Sequence, residues 1–181
     1  MSPLFIERDT YLLRDEIQTI QAEGILPSLQ GAAVVDFCSG VGYGSMLLRE
    51  LGSQVTAIDI DRERVLAGLA AGNYRGVDVI VKDARAYRSR EFDHAFGFHI
   101  GSLMVPEGGF PPEWRAILSN ICAQVKKGGT IFVSYHCGED TGVPECLASL
   151  GIEGQVNGRR EKSMLSDVYF IGKKVERRAT L

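Results

Sequence analysis

No apolar run in the 181 residues approaches the roughly 20 that a membrane-spanning helix needs, so no such helix is expected. The opening stretch, Met1-Ser2-Pro3-Leu4-Phe5-Ile6-Glu7-Arg8-Asp9, turns acidic too early for a signal peptide. The expected location is therefore the cytoplasm. The four cysteines, Cys38, Cys122, Cys137 and Cys146, form no C-x-x-C pair, which removes the usual zinc spacing. His136, Cys137, Glu139 and Asp140 lie close together but match no recognised ligand pattern, and no metal is expected. Reduced thiols are the default in a cytosolic protein. Internal repeats, linkers and low-complexity segments are also lacking. A strong net charge is missing too, since the sum is −3, but the charge is unevenly spread. Residues 1–150 carry 13 basic and 19 acidic side chains, and residues 151–181 carry 7 and 4. A protein that grips nucleic acid by its phosphates shows a basic face. Only the C-terminal segment offers one, and its ordinary alternative is a solvated hairpin and tail.

What is present is ordinary globular material, 45% hydrophobic and 24% charged, long enough for one domain with a real core. We read residues 1–29 as an N-terminal helix and lead-in, 30–137 as the main body, and 138–181 as a helix and β-hairpin. Leu13, Ile17 and Ile20 mark a helix from about Thr10 to Glu23, ended by Gly24 and Pro27. Strands are expected at Ala32–Phe37, Gln54–Asp59, Val77–Val81, Phe92–Phe98 and Thr130–Tyr135. Helices lie between them. One is capped by Asp61 with an inner face of Val65, Leu66, Leu69 and Ala70. Another runs through Trp114, Ile117, Leu118, Ile121 and Val125 and is ended by Gly128-Gly129. A short helix at Val143–Leu150 and β-segments near Gly154–Arg160 and Asp167–Lys173 finish the chain. This alternation predicts an α/β, Rossmann-like, doubly wound sheet, mostly parallel with a C-terminal antiparallel strand and helices on both faces. Ligands of such sheets sit outside the carboxyl ends of the strands, at the switch point. The stretch from Gly101 to Pro112, rich in Gly and Pro, is a loop, read either as a lid or as a plain connection.

The chemistry concentrates after the first strand, in Asp36-Phe37-Cys38-Ser39-Gly40-Val41-Gly42-Tyr43-Gly44. Glycines there allow sharp turning and let a ligand approach the backbone, beside the free N–H groups of a helix start. Asp59, 19 residues after Gly40, suits ribose hydroxyls, a spacing shared with dinucleotide sites. Asp36 discriminates further. A carboxylate inside the strand disfavours a pyrophosphate nearby and favours a ligand with ammonium and sulfonium charges. Its structural alternative is to accept hydrogen bonds from the loop's own N–H groups.

Val34-Val35-Asp36-Phe37-Cys38-Ser39-Gly40-Val41-Gly42 resembles the first motif of class I S-adenosylmethionine-dependent methyltransferases. Ala57-Ile58-Asp59-Ile60-Asp61 resembles their ribose-binding strand end, and Val81-Lys82-Asp83-Ala84 their adenine motif. Phe92–Ala95, Val125–Thr130 (with Lys127 where the family usually has Pro) and Val168–Gly172 resemble the later, more generic motifs. The resemblance spans roughly residues 30–175. It implies S-adenosylmethionine as cofactor, held by Asp36, Cys38, Ser39, Gly40, Gly42, Gly44, Asp59, Ile60, Asp83, Ala84 and Phe98. It departs from members that methylate amide or adenine nitrogens, because Gly97-Phe98-His99-Ile100 replaces their N/D-P-P-Y/F string.

Methyl transfer relies largely on positioning and exclusion of water, with a base needed only where the acceptor loses a proton. His99 and His136, expected at the ends of strands four and five, are the candidates. Tyr11 and Arg14 are candidates for closing over the methionine end. The acceptor is unidentified; a small molecule is slightly favoured over peptide or RNA because the main body is acidic. Two other readings stay open: a cofactor-binding partner subunit without activity, and a nicotinamide-dependent oxidoreductase. Asp36 and the lack of a second, substrate-binding domain weigh against the latter.

Overall fold

Runs rich in β-branched and aromatic residues, which suit a pleated buried surface, form strands close to where the pattern places them. They are β1 (Ala33–Phe37), β2 (Gln54–Asp59), β3 (Asp78–Val81), β4 (Phe92–Gly97), β5 (Val125–His136), β6 (Ile152–Gly158) and β7 (Asp167–Lys174). The helices are α1 (Tyr43–Glu50), α2 (Arg62–Ala71), α3 (Pro112–Gln124) and α4 (Val143–Ser149). The structure, a computed structural model, describes residues 14, 17–18, 20–24, 26–88, 91–98, 110–136, 142–158 and 167–175. Tyr11, His99, residues 101–109, Cys137, Glu139, Asp140 and most of the basic C-terminal residues fall outside these.

All seven strands join one sheet in the order β3-β2-β1-β4-β5-β7-β6. The first five pair in parallel, and β7 pairs antiparallel with both β5 and β6, as the alternating pattern predicts. The chain leaves β1 toward β2 and β3, then crosses to β4 on β1's other side. The switch point thus lies between β1 and β4.

Period-two alternation sorts the core. Val35 and Phe37 of β1 pack with Leu118, Ile121, Val133 and Leu147 under α3 and α4. Val34 faces the other way, with Ile17, Ile20, Leu47, Leu48, Phe96 and Phe132. Asp36 shares Val34's face, so its carboxyl points beneath α1. Among the described residues no helix is long and apolar enough to cross a membrane.

Three expectations are corrected. The long helix does not reach Gly128-Gly129: α3 stops at Gln124, and Val125 is already extended and paired with Phe92. Residues 126–129 form an irregularity between that pair and the next, His94 with Thr130. Gly128 is left-handed there (φ 76°), and a Cβ on Gly129 would meet the Asp93 carbonyl at 2.3 Å. Two side chains repair the break. The Thr130 N–H donates to His94 Nδ1 at 3.1 Å, and the Lys174 ammonium donates to the carbonyls of Cys122 (2.9 Å), Ala123 (3.3 Å) and Val125 (2.7 Å) at the end of α3.

Second, α2 starts at its Asp61 cap, which accepts from the N–H groups of Glu63 and Arg64, but Leu66, Leu69 and Ala70 are exposed. Its inner face is Val65 and Gly68. A Cβ on Gly68 would sit 2.4 Å from the Val41 carbonyl, so the helix lies on the glycine loop through its smallest residue. Third, Arg14 pairs with Glu50 at the far end of α1, a helix length from the loop, and is not available to close over it.

Candidate active site

After Phe37 the chain turns through Cys38 (φ 59°), Gly40 (φ 59°) and Gly42 (φ 86°), three left-handed residues within five. Cys38 is the one non-glycine with positive φ among the described residues, a conformation that costs of order 1–3 kcal/mol and clusters at functional sites. Its thiol, pushed up to about 12 by burial and then by the Asp59 and Asp36 carboxylates, stays protonated.

The glycines serve different needs. A Cβ on Gly40 would point into open space, so Gly40 is required by its φ and leaves room for a ligand. A Cβ on Gly42 would meet the Tyr74 ring at 2.7 Å, and one on Gly44 would meet the Phe98 ring at 2.1 Å. Phe98 is a core residue, its ring stacked on Phe96 (5.6 Å between centroids) and tilted against Phe132 (5.5 Å). It supports the start of α1 from below. Gly42, at the N-cap of α1, has no side chain to cap it, and the Ser45 N–H turns down to Asp36, which leaves the donors ahead of Ser45 for whatever fills the mouth of the loop.

Two acids hold the loop. Asp59 Oδ2 accepts from the Gly40 N–H and Oδ1 from the Asp61 N–H, both at 2.7 Å, which fixes the carboxylate and leaves lone pairs on each oxygen for a diol. Asp36 is 1% exposed. Its Oδ2 accepts the Ser45 hydroxyl at 2.5 Å, and its Oδ1 is buried without a hydrogen-bond partner among the described residues. Burial, with a smaller push from Asp59, raises its pKa to about 7 against the opposing pull of Ser45. Of the loop N–H groups, Ser39 N–H goes to the Ile58 carbonyl (3.1 Å) and Gly40 N–H to Asp59, while the Ser45 N–H of α1 bonds to the Asp36 carboxyl as its hydroxyl does. An orphaned buried carboxylate oxygen beneath an open glycine loop fits a cationic ligand and not a pyrophosphate.

The third strand supplies the other end. Lys82 N–H donates to the Asp59 carbonyl (2.9 Å), which binds the β2 and β3 ends together. Asp83 is forked by Arg85, whose Nε lies 2.8 Å and Nη2 2.6 Å from Oδ2. That bond, together with the Arg85 N–H, holds the Asp83 carboxyl below the usual carboxylate range. Ala84 is buried, and its carbonyl accepts from Asn120 of α3 at 2.6 Å. Ile60 is 67% exposed, an apolar side chain beside Asp59.

The structure thus brings Asp36, Cys38, Ser39, Gly40, Asp59, Ile60, Asp83 and Ala84 to one edge of the sheet. His136 ends β5 on the same edge, and His99 lies outside the described residues. The sequence reading missed Ser45, Asn73, Tyr74, Arg85 and Asn120. All but Arg85, which lies two residues from Asp83, act across a tertiary contact. Only Arg85, by that spacing, and Ser45, polar at an otherwise inward helix position, carry a local signal.

Among curated proteins none matches the sequence. Solved structures match the fold widely. A magnesium protoporphyrin IX methyltransferase from Synechocystis, crystallised with S-adenosylmethionine, superposes with a TM-score of 0.70 at 16% identity, over 93% of this chain and 81% of its own. The N-methyltransferase NodS from Bradyrhizobium japonicum, in complex with S-adenosylhomocysteine, gives 0.70 at 13%, over 97% and 89%. An S-adenosylmethionine-dependent methyltransferase from Clostridium acetobutylicum gives 0.68 at 10%, over 90% and 91%. At these identities the likeness is one of fold. The family model described as "Methyltransferase domain" matches residues 35–133, more than half of the chain and all of the loop and acids described above. The chain belongs to the methyltransferase domain family, of the class I S-adenosylmethionine-dependent type that its motifs resemble.

Proposed function

We propose that this protein moves the methyl group of S-adenosylmethionine to a small-molecule acceptor at the carboxyl edge of β4 and β5. The observation that carries the cofactor is the unpartnered Oδ1 of Asp36 under the glycine loop. Bound there, S-adenosylmethionine supplies an activated methyl group on a sulfonium with a neutral thioether as leaving group. The chain's own residues bind and orient. Asp36 places negative charge under the loop, Asp59 offers lone pairs to the ribose, Gly40 leaves the backbone approachable, and Ile60 and Ala84 offer apolar surface to the base. Asp83 is the acid for the adenine amine, once Arg85 yields a lone pair. His99 and His136 are the candidates for orienting or deprotonating the acceptor.

Two observations favour a small acceptor. Residues 1–150 are net acidic, which repels a phosphate backbone. Solved relatives of similar fold include enzymes named for magnesium protoporphyrin IX and for phosphoethanolamine. Calorimetry with S-adenosylmethionine and NADH tests the cofactor; NADH binding without S-adenosylmethionine binding rejects it. Transfer of a labelled methyl group across small-molecule, peptide and RNA pools tests the acceptor. Labelling confined to RNA or peptide overturns the small-molecule assignment, and binding without any transfer favours a non-catalytic partner subunit. His99→Ala is expected to lower turnover about 10²–10⁴-fold if His99 is a general base, with cofactor affinity held.

A further inference from the structure

The residues that follow α2 reach back under the cofactor loop. Gly72 ends the helix in the left-handed conformation (φ 79°), and the next two side chains turn inward. Asn73 Nδ2 donates to the Val41 carbonyl at 2.8 Å. The Tyr74 hydroxyl lies 2.9 Å from Ser39 Oγ and donates to the Gly40 carbonyl at 2.9 Å. The Tyr74 ring fills the space a Cβ on Gly42 would need. Residues 39 to 42 are therefore all touched by one dipeptide, which is 8% and 3% exposed.

The proton count fixes direction. A phenol has one proton, and Tyr74 gives it to the Gly40 carbonyl. The Ser39 hydroxyl then donates to the phenol oxygen and keeps only acceptor lone pairs for a ligand. Burial pushes the Tyr74 phenol up to about 12, so this arrangement holds across the physiological range.

We propose that Tyr74 is a positioning residue of the cofactor loop, tying Ser39 to Gly40 before any ligand arrives and committing the Ser39 hydroxyl to accept from the ligand. A ligand presenting donors there, such as an ammonium or a ribose hydroxyl, is favoured over one presenting a carboxylate or phosphate oxygen. The ligand half of this statement rests on the S-adenosylmethionine reading; the loop half does not.

Tyr74→Phe keeps the ring against Gly42 and removes only the hydroxyl. Native-state hydrogen exchange reads the loop without cofactor. Both amides concerned are bonded, Gly40 to Asp59 and Gly42 to the Ser39 carbonyl. Their exchange is expected to quicken about tenfold, the equivalent of 1.4 kcal/mol, while amides inside β1 and β2 hold. With cofactor, KM for S-adenosylmethionine is expected to rise about tenfold with kcat nearly unchanged. Ser39→Ala removes the Ser39–Tyr74 bond from its other end, so without cofactor the double variant should exchange at Gly40 and Gly42 no faster than Tyr74→Phe alone. Unchanged exchange at Gly40 and Gly42 overturns the proposal. So does equal quickening through β1, β2 and the loop, which marks Tyr74 as a stability residue only. A wild-type protein that binds no S-adenosylmethionine defeats the functional reading instead, and the exchange comparison still decides Tyr74.

Discussion

Asp36 links cofactor binding to pH, and the structure sets both the sign and the size. In the free protein its carboxyl is buried, with one oxygen unpartnered, and its pKa is raised from 3.8 to about 7. A cation bound nearby demands the ionised form. Affinity for S-adenosylmethionine should therefore climb about tenfold per pH unit below 7, since only the ionised fraction is competent, and level off above it. Binding at pH 6 should release close to one proton. Stability runs the opposite way. A carboxyl with a raised folded-state pKa is protonated more readily folded than unfolded, so the free protein loses stability as pH rises from about 4 through 7. At 1.36 kcal/mol per unit, that loss reaches up to about 4 kcal/mol. Cys38 and Tyr74, both pushed up to about 12, titrate above this range; His94, held below its ordinary value by burial, contributes in the opposite sense within it, and comparison with an Asp36 variant cancels that contribution. Asp36→Asn keeps an acceptor for Ser45 and deletes the charge. It should be more stable than wild type at pH 8, converge toward it near pH 4, and bind cofactor weakly at every pH. Calorimetry in buffers of different ionisation enthalpy counts the protons, and denaturant titrations at the two pH values measure stability. A variant that binds cofactor as tightly as wild type, or that is less stable at pH 8, would refute the reasoning.

Other expectations follow from single contacts. Asp59→Ala should weaken cofactor binding by roughly 1.5–3 kcal/mol and loosen the Gly40 amide, read by calorimetry and exchange; unchanged affinity would leave Asp59 a loop tether only. Gly44→Ala should cost about 1–3 kcal/mol in denaturant unfolding as the new methyl displaces the Phe98 ring, and a variant of wild-type stability would show that the ring can yield. Lys174→Met should lower stability by about 1–2 kcal/mol, because the last carbonyls of α3 lose their donor; chemical denaturation measures it, and no change would mean that water replaces the ammonium.

The succession of strands and helices and the site's edge were legible because they rest on local pattern. β2 begins and ends at the residues the alternation names, and Asp61 caps α2 as a short acid before a helical run does. The misses share a cause: they depend on partners far along the chain. Leu66 and Leu69 fit an inward helical stripe, yet α2 packs through Gly68, because the Val41 carbonyl leaves no room for a larger face. Gly128-Gly129 reads as a helix stop, yet the stop comes earlier, since Phe92 claims Val125 for the sheet and the glycines serve the irregularity after it. Arg14 looked free, and Glu50 holds it.

The glycine loop shows how a motif can be identified rightly for reasons that are only partly local. From the sequence all three glycines seem to make way for a ligand. In the fold only Gly40 faces open space, while Gly42 and Gly44 make way for Tyr74 and Phe98. Those two rings come from the segment after α2 and from the end of β4, on either side of β1. The loop is therefore held from below by groups the motif does not contain, and its mouth is left free. Preorganisation of this kind lowers the ordering cost that binding would otherwise meet. It follows that substitutions at Gly42 or Gly44 should act first through Tyr74 and Phe98 and only then on the ligand. A substitution at Gly40, whose Cβ would meet no atom of the described residues within 4 Å, should act through its backbone strain and on the ligand directly.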